Sequence, residues 1–207
     1  MKLGTLTTGD TVETTIRLNF LPQWINYVAA TALKGLRVIV QGDGVICDLD
    51  ENGIKGVSGI RRYGAVANSY MIPLSDGLIP GKVVDLVFTN SAAQTPDIYG
   101  FSTSTGSHYV VSQRQTVLAA SGITINNFAH LAIIANATTD RITIGFKDGT
   151  LQEFVSEELK NWYTLYSNET DSYCIDNIEG NIDYVRIIPA ADRVIVWTKY
   201  AEAGEIM

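Results

Sequence analysis

The residues in this chain with the most obvious chemical potential are carboxylates. Asp48-Leu-Asp-Glu-Asn-Gly53 repeats the first half of a calcium loop, D-x-D-x-N-G. Hard oxygens at alternate positions, with a glycine at the sharp bend, are what Ca²⁺ requires. The twelfth position is Gly59, so the bidentate carboxylate is missing. The run therefore carries two readings, an acidic turn between strands and a calcium site at Asp48, Asp50 and Asn52. No other cofactor is implied. His108 and His130 are the only histidines. Neither has a Cys/His/Asp cluster at ligand spacing, which argues against a metal centre. His130, between Ala129 and Leu131, reads as a hydrogen-bonded strand residue.

Nucleophilic chemistry finds little support. No G-x-S-x-G is present, and Cys47 lies in an apolar strand where a thiol packs as a small hydrophobe. A Ser-His-Asp set drawn from distant positions is left open by sequence. Neither a G-x-x-x-x-G-K-[ST] loop nor a G-x-G-x-x-G leading from strand to helix occurs. Asn136 and Asn168 head glycosylation sequons, which two occurrences in 207 residues put at chance level. Trp24, Tyr27, Tyr63, Tyr70, Tyr99, Tyr109, Tyr163 and Trp197 fit two roles. One is a sugar-binding face on a carbohydrate-binding or adhesion β-sandwich. The other, which tyrosine and tryptophan serve more often, is core and subunit contact. On these residues the chain is not an enzyme.

The chain that must position these groups is 46% hydrophobic, with 18% charged residues and a net charge of −7. The charge content is below the ~25% usual in soluble domains, which points to a surface covered by other subunits or to buried loops. Nothing basic clusters, so phosphate-neutralising nucleic-acid binding is not expected. At this length, roughly 70% of the unfolded surface is buried on folding, so no staples are needed. Cys47 and Cys174 are then expected as reduced or buried thiols. No apolar run approaches the ~18 residues of a membrane span.

Period-two alternation dominates. Thr14–Phe20 sets Ile16, Leu18 and Phe20 against Thr15, Arg17 and Asn19. Leu36–Leu49 predicts a strand pair about Gln41-Gly42-Asp43-Gly44, with Val38 and Val40 inward and Val45 and Cys47 opposite. Val83–Phe88 predicts a buried strand, and Ile60–Tyr63 and Ser69–Leu74 shorter ones. Ile98–Ser104 and His108–Gln113 suggest a hairpin about Thr105-Gly106. Leu131–Phe154 holds three apolar runs separated by Ala135–Asp140 and by Lys147-Asp148-Gly149, a meander. Val185–Ile188 and Arg193–Tyr200 suggest a final pair turning at Pro189–Asp192, after an acidic loop over Asn168–Asn181. Two helices are candidates. Ser156–Tyr166 has a serine cap and a Leu159, Trp162, Tyr163, Tyr166 stripe, and Pro22–Leu33 has weaker helical spacing. Ten to twelve short strands with one or two short helices give an all-β, antiparallel β-sandwich of jelly-roll type. It is one unit over residues 1–207, with a seam near 112–122 if there are two compact rolls.

Four segments carry a family resemblance: SYMIPLSDGLIPGKVVDLVFTN (Ser69–Asn90), IYGFSTSTGSHYVV (Ile98–Val111), NFAHLAIIANATTDRITIGFKDG (Asn127–Gly149) and IDYVRIIPAADRVIVWTKY (Ile182–Tyr200). In their Thr/Asn/Gly-rich turns and neutral strands they resemble the jelly-roll capsid proteins of tailless icosahedral viruses, including bacteriophages with an internal membrane. The resemblance implies a virion structural protein made in the host cytoplasm. It implies a homo-oligomer, trimer or pentamer, meeting neighbouring capsid proteins and an internal membrane or minor structural proteins. It implies no catalytic residues and no sequence-specific nucleic-acid binding.

Overall fold

The computed structural model describes residues 1–6, 13–57, 59–60, 68–134, 140–155, 172–177 and 179–202. They form seventeen strands and one helix, an all-β jelly-roll sandwich fold. The chain divides into two compact units, Met1–Gln113 with Tyr200–Met207, and Arg114–Lys199. β10 (Tyr109–Val117) and β17 (Arg193–Ala201) each run across that division.

The first unit has two sheets. One has the order β1 (Lys2–Thr5), β9 (Asp97–Phe101), β3 (Trp24–Ala29), β7 (Asn68–Pro73), β6 (Gly59–Ile60). The other runs β10, β5 (Gly44–Asp50), β4 (Leu33–Val40), β8 (Ile79–Asn90), β2 (Glu13–Leu21). Register explains the core. Leu36, Val38 and Val40 of β4 stand beside Phe88, Leu86 and Val84 of β8, all buried. They face Ile25, Tyr27, Tyr70, Ile72 and Ile98 of the other sheet. The Tyr27 ring stacks on Phe88 with centroids 5.8 Å apart. Its hydroxyl donates to Asn90 Oδ1 and accepts from Gln94 Nε2 at 2.7 Å. The aromatic body thus supplies buried area while its one polar atom stays satisfied.

The second unit repeats the scheme with β11 (Ile123–Asn126), β16 (Ile182–Ile188), β13 (Arg141–Phe146), β14 (Leu151–Val155) in one sheet. The other is β15 (Ser172–Asp176), β12 (His130–Ile134), β17. Ile125, Ile142, Ile144, Val185 and Ile187 pack against Leu131, Ile133, Ile175 and Ile195. The β13–β14 hairpin closes as the sequence indicates. Gly149 takes a φ of +85° and its N–H donates to Phe146 O at 2.9 Å.

Three sequence pairings are corrected. The 98–113 region is not a hairpin, because β9 pairs with β1 and β3 while β10 pairs with β5 in the other sheet. The 131–154 region is not a three-strand meander, because β12 lies between β15 and β17 while β13 lies between β14 and β16. β16 and β17 are likewise in different sheets. In each case the chain crosses from one layer to the facing one, which buries an apolar face that a local hairpin would leave half wet.

Pro22–Leu33 contains strand β3, not a helix. The aromatic and β-branched residues of its W-I-N-Y-V run favour a pleated surface, and Ile25, Tyr27 and Ala29 alternate inward. Ser172–Asp176 is strand β15 within the expected acidic loop. Val45 is 42% exposed because a register shift between Val38 and Ile39 turns Ile46 and Cys47 inward instead. The Ser156–Tyr166 helix, the 135–139 turn, Asn136, Asn168, Tyr63 and Tyr163 lie outside the described residues.

Beyond apolar burial, one ion pair among the described residues is fully enclosed. Arg193 Nε and Nη2 donate to Asp140 at 2.7 and 3.0 Å, and Ala190 N–H donates to the same carboxylate at 2.8 Å. Their side chains are 3% and 0% exposed. Removing one partner strands a buried charge. Asp140→Ala is expected to cost about 3–5 kcal/mol, while replacing both residues by apolar ones of similar volume costs far less. Urea unfolding of both variants checks this.

Candidate functional site

The D-x-D-x-N-G run folds as a strand end and a capped helix rather than as a loop. Asp48 and Asp50 belong to β5, and Asn52 sits in the first turn of α1 (Glu51–Val57). Asp50 Oδ1 accepts the Gly53 N–H at 2.9 Å, an N-cap bond. Glu51 lies in the first turn and meets Lys55 at 3.7 Å one turn on. The two glycines hid this helix in the sequence; Gly53 and Gly56 are buried on its packed side, with Ile54 and Val57. Among the described residues no group of three His, Cys, Asp or Glu converges on a cation position.

The two histidines each meet one aspartate. His108 Nδ1 lies 2.8 Å from Asp76 Oδ2 and 3.1 Å from Ser107 Oγ. A catalytic triad places carboxylate and hydroxyl on opposite ring nitrogens. Here both meet Nδ1, and Nε2 faces Glu202 at 3.5 Å. The Asp76 carboxylate also accepts the Ser107 and His108 N–H groups at 2.8 and 3.1 Å. A Cβ on Gly106 would fall 1.8 Å from Asp76 Oδ1, so only glycine admits this closure. The cluster therefore ties the loop before β8 to the loop before β10. The hydrogen bond to Asp76 raises the His108 pKa.

His130 stands directly across from Asp176 and bonds to it through Nδ1. Burial alone would lower its pKa, but Asp176 and Cys174 outweigh that and push it up to about 10. Cys47 and Cys174 are free and buried. Burial pushes the Cys47 thiol far up, so it stays protonated and inert. Asp43 in the β4–β5 turn accepts from Lys82 Nζ at 2.8 Å and from the Tyr109 hydroxyl, and the Lys82 bond holds its carboxyl below the usual range. No sequence signal marked these clusters, since their carboxylates lie 31 or more residues from the groups they bind and meet them only in the fold. Of the candidate sugar-binding aromatics, Tyr27, Tyr70 and Tyr109 are core residues, and Trp24, Tyr99 and Trp197 are half-buried.

Exposed side chains also lie along the sheet walls. On the first unit, the outward positions of β2, β8, β4 and β5 form cross-strand rows. They are Glu13–Thr89–Gly35–Asp50, Thr15–Val87–Arg37–Asp48 and Arg17–Asp85–Ile39–Val45. Arg17 forms a two-pronged pair with Asp85 at 2.7 and 2.8 Å, and Arg37 reaches Glu13 at 3.5 Å. On the second unit the rows are Thr124–Arg186–Thr143–Glu153, Asn126–Tyr184–Gly145–Leu151 and Ile188–Arg141–Val155. Leu151 is 62% exposed there and Val155 41%. A cavity of about 170 Å³ opens beside Arg141, Glu153 and Phe154. These walls hold exposed charge and apolar area side by side.

No protein-family model matches the sequence, and no curated protein matches it. Solved structures do. The crystal structure of the STIV major capsid protein superposes with a TM-score of 0.59 at 10% identity, covering 97% of each chain. This chain has the fold of a viral jelly-roll capsid protein. The agreement covers both units and extends to nearly every residue of either chain. A chain of the Sputnik virophage structure is also found, at 8% identity, covering 97% of this chain and 85% of that one, with a TM-score of 0.38 that is too low to build on.

His130 gives this jelly-roll chain a definite pH signature. Its folded pKa, about 10, lies above the ordinary value of 6.5. The folded state therefore holds an extra proton between those values. Its stabilisation is complete below about pH 6.5 and is lost as pH rises toward 10. His130→Gln is expected to flatten that fall, read as thermal midpoints from pH 6 to 10.

Proposed function

We propose that this chain is a structural building block of a virion shell and assembles with copies of itself and neighbouring shell proteins through its sheet walls. The observation that carries the reading is the near full-length match to a capsid protein fold, spanning both units. Three features of the chain support it. Charge is sparse, which lowers the desolvation cost of covering the walls. The histidine clusters tie loops and strands together, and His108 meets its carboxylate and its neighbouring hydroxyl through the same ring nitrogen. The walls carry exposed apolar side chains that a lone chain would leave wet.

In this role the chain is not an enzyme. It works in the virion after synthesis in the host cytoplasm, as a trimer or pentamer. An internal membrane or a minor structural protein lies between it and the genome, because the net charge of −7 disfavours direct contact with phosphates.

Size-exclusion chromatography with light scattering on the purified chain tests the reading. The expected result is a discrete multiple of the 22.6 kDa chain mass that grows with concentration. A strictly monomeric species at high concentration, with no association with particles, overturns it.

A further inference from the structure

Both cysteines of this chain are buried, but in different surroundings. The Cys47 thiol donates to Leu36 O at 3.9 Å within the sheet of the first unit. Cys174 lies on β15, which pairs with β12 so that Asp176 stands opposite His130 and Cys174 opposite Ala132. Alternate residues of a strand share a face, so Cys174, Asp176 and His130 lie together. This is not the core face, which takes the intervening Leu131, Ile133 and Ile175. His130 and Cys174 are diagonal neighbours across the strand pair, within reach of an imidazole ring. Ala132 is too short to stand between them. The ring bonds to Asp176 through Nδ1 and is also hydrogen-bonded with the Cys174 sulfur. Across β12 the same face continues with buried Val196 and Thr198. The raised pKa of His130, about 10, makes the ring a cation at neutral pH. A cation beside a sulfur favours the thiolate, the form that attacks. Carboxylate, imidazole and sulfur in contact are the parts of an activated nucleophile.

We propose that Cys174 is a covalent modification site for small disulfides, with His130 as its proton carrier and Asp176 as the group that orients the ring. The Cys174 sulfur, its proton held on His130, attacks one sulfur of the small disulfide. The bond between the two sulfurs of the small molecule breaks and a mixed disulfide with Cys174 forms. The departing thiolate takes the proton from His130 and leaves as a thiol. Cys174 is oxidised and the departing half is reduced, so the exchange balances with no further oxidant. Burial sets the size of the partner. Cys174 is 2% exposed, while the side chains of His130 and Asp176 beside it are 24% and 30% exposed. The approach therefore runs over the ring and the carboxylate, and it suits a small molecule rather than a protein thiol. β15 is also the end strand of its sheet, and ends open locally at lower cost than the centre. Metal ligation is the weaker use, since no three ligating groups converge on a cation position among the described residues. The proposal stands apart from the shell-protein reading, and neither needs the other.

Cys47 is the internal control. The folded chain is incubated with hydroxyethyl disulfide at neutral pH, quenched in acid, and the modified cysteines are located by peptide mass spectrometry. Cys174 is expected to react at least about tenfold faster than Cys47, and the two rates are expected to converge in guanidinium. His130→Gln is expected to slow Cys174 about tenfold, and Asp176→Asn to slow it less. Circular dichroism checks that each variant is folded. A purely structural role for His130 gives the opposite result, because a loosened strand pair exposes the sulfur and speeds its modification. Should His130→Gln fail to fold, the Asp176→Asn rate and the wild-type ratio of Cys174 to Cys47 decide. Equal rates at the two cysteines of the folded chain, no modification of Cys174, or an unchanged or faster rate in a folded variant overturns the inference.

Discussion

The structure depends on alternate apolar side chains of two facing sheets being buried against each other, twice over. In the first unit Leu36, Val38, Val40, Leu86 and Phe88 meet Ile25, Tyr27, Ile72 and Ile98. In the second, Ile142, Ile144, Val185 and Ile187 meet Leu131, Ile133 and Ile195. Because each strand gives one face to the core, the other face is free to be wall. The connections that carry the chain between layers bring distant carboxylates and cations together. Asp140 with Arg193, Asp43 with Lys82 and Tyr109, and Asp76 with His108 are products of that wiring. They hold loops and turns in place around the strands.

This division of labour shapes the chemistry. Several of the groups that looked reactive in isolation are taken up by the structure. Asp50 caps a helix, both thiols are buried, and the His108 ring shares one nitrogen between a carboxylate and a hydroxyl. Among the described residues Arg141, Arg186 and Asp48 stay exposed on the sheet walls.

Strands were legible in the sequence wherever one face alone is buried. The Ile16, Leu18, Phe20 alternation of β2 and the Lys147-Asp148-Gly149 hairpin follow directly from period two and turn chemistry. Pairing was legible only where the turn is tight. Longer connections, such as Thr105-Gly106 and Pro189–Asp192, carry the chain to the facing sheet, and turn composition is the same in both cases. β3 was obscured by a helical spacing of Trp24, Tyr27 and Val28 that competes with its true alternation. α1 was obscured by glycines that close packing requires and propensity penalises. Of the site, the calcium half-motif was visible because it is local, and the ion-pair clusters were not, because register alone creates them. The resemblance in texture found the right fold because alternating neutral strands joined by Thr/Asn/Gly turns are what a β-sandwich requires.

The central claim is that these walls are hidden in a repeated assembly. Electron cryomicroscopy of the particle in which this chain occurs tests it most directly. The account predicts density for this jelly-roll fold at symmetry-related shell positions, with its sheet walls buried against neighbours. A shell that lacks this chain, or one in which both walls face open solvent, would contradict it.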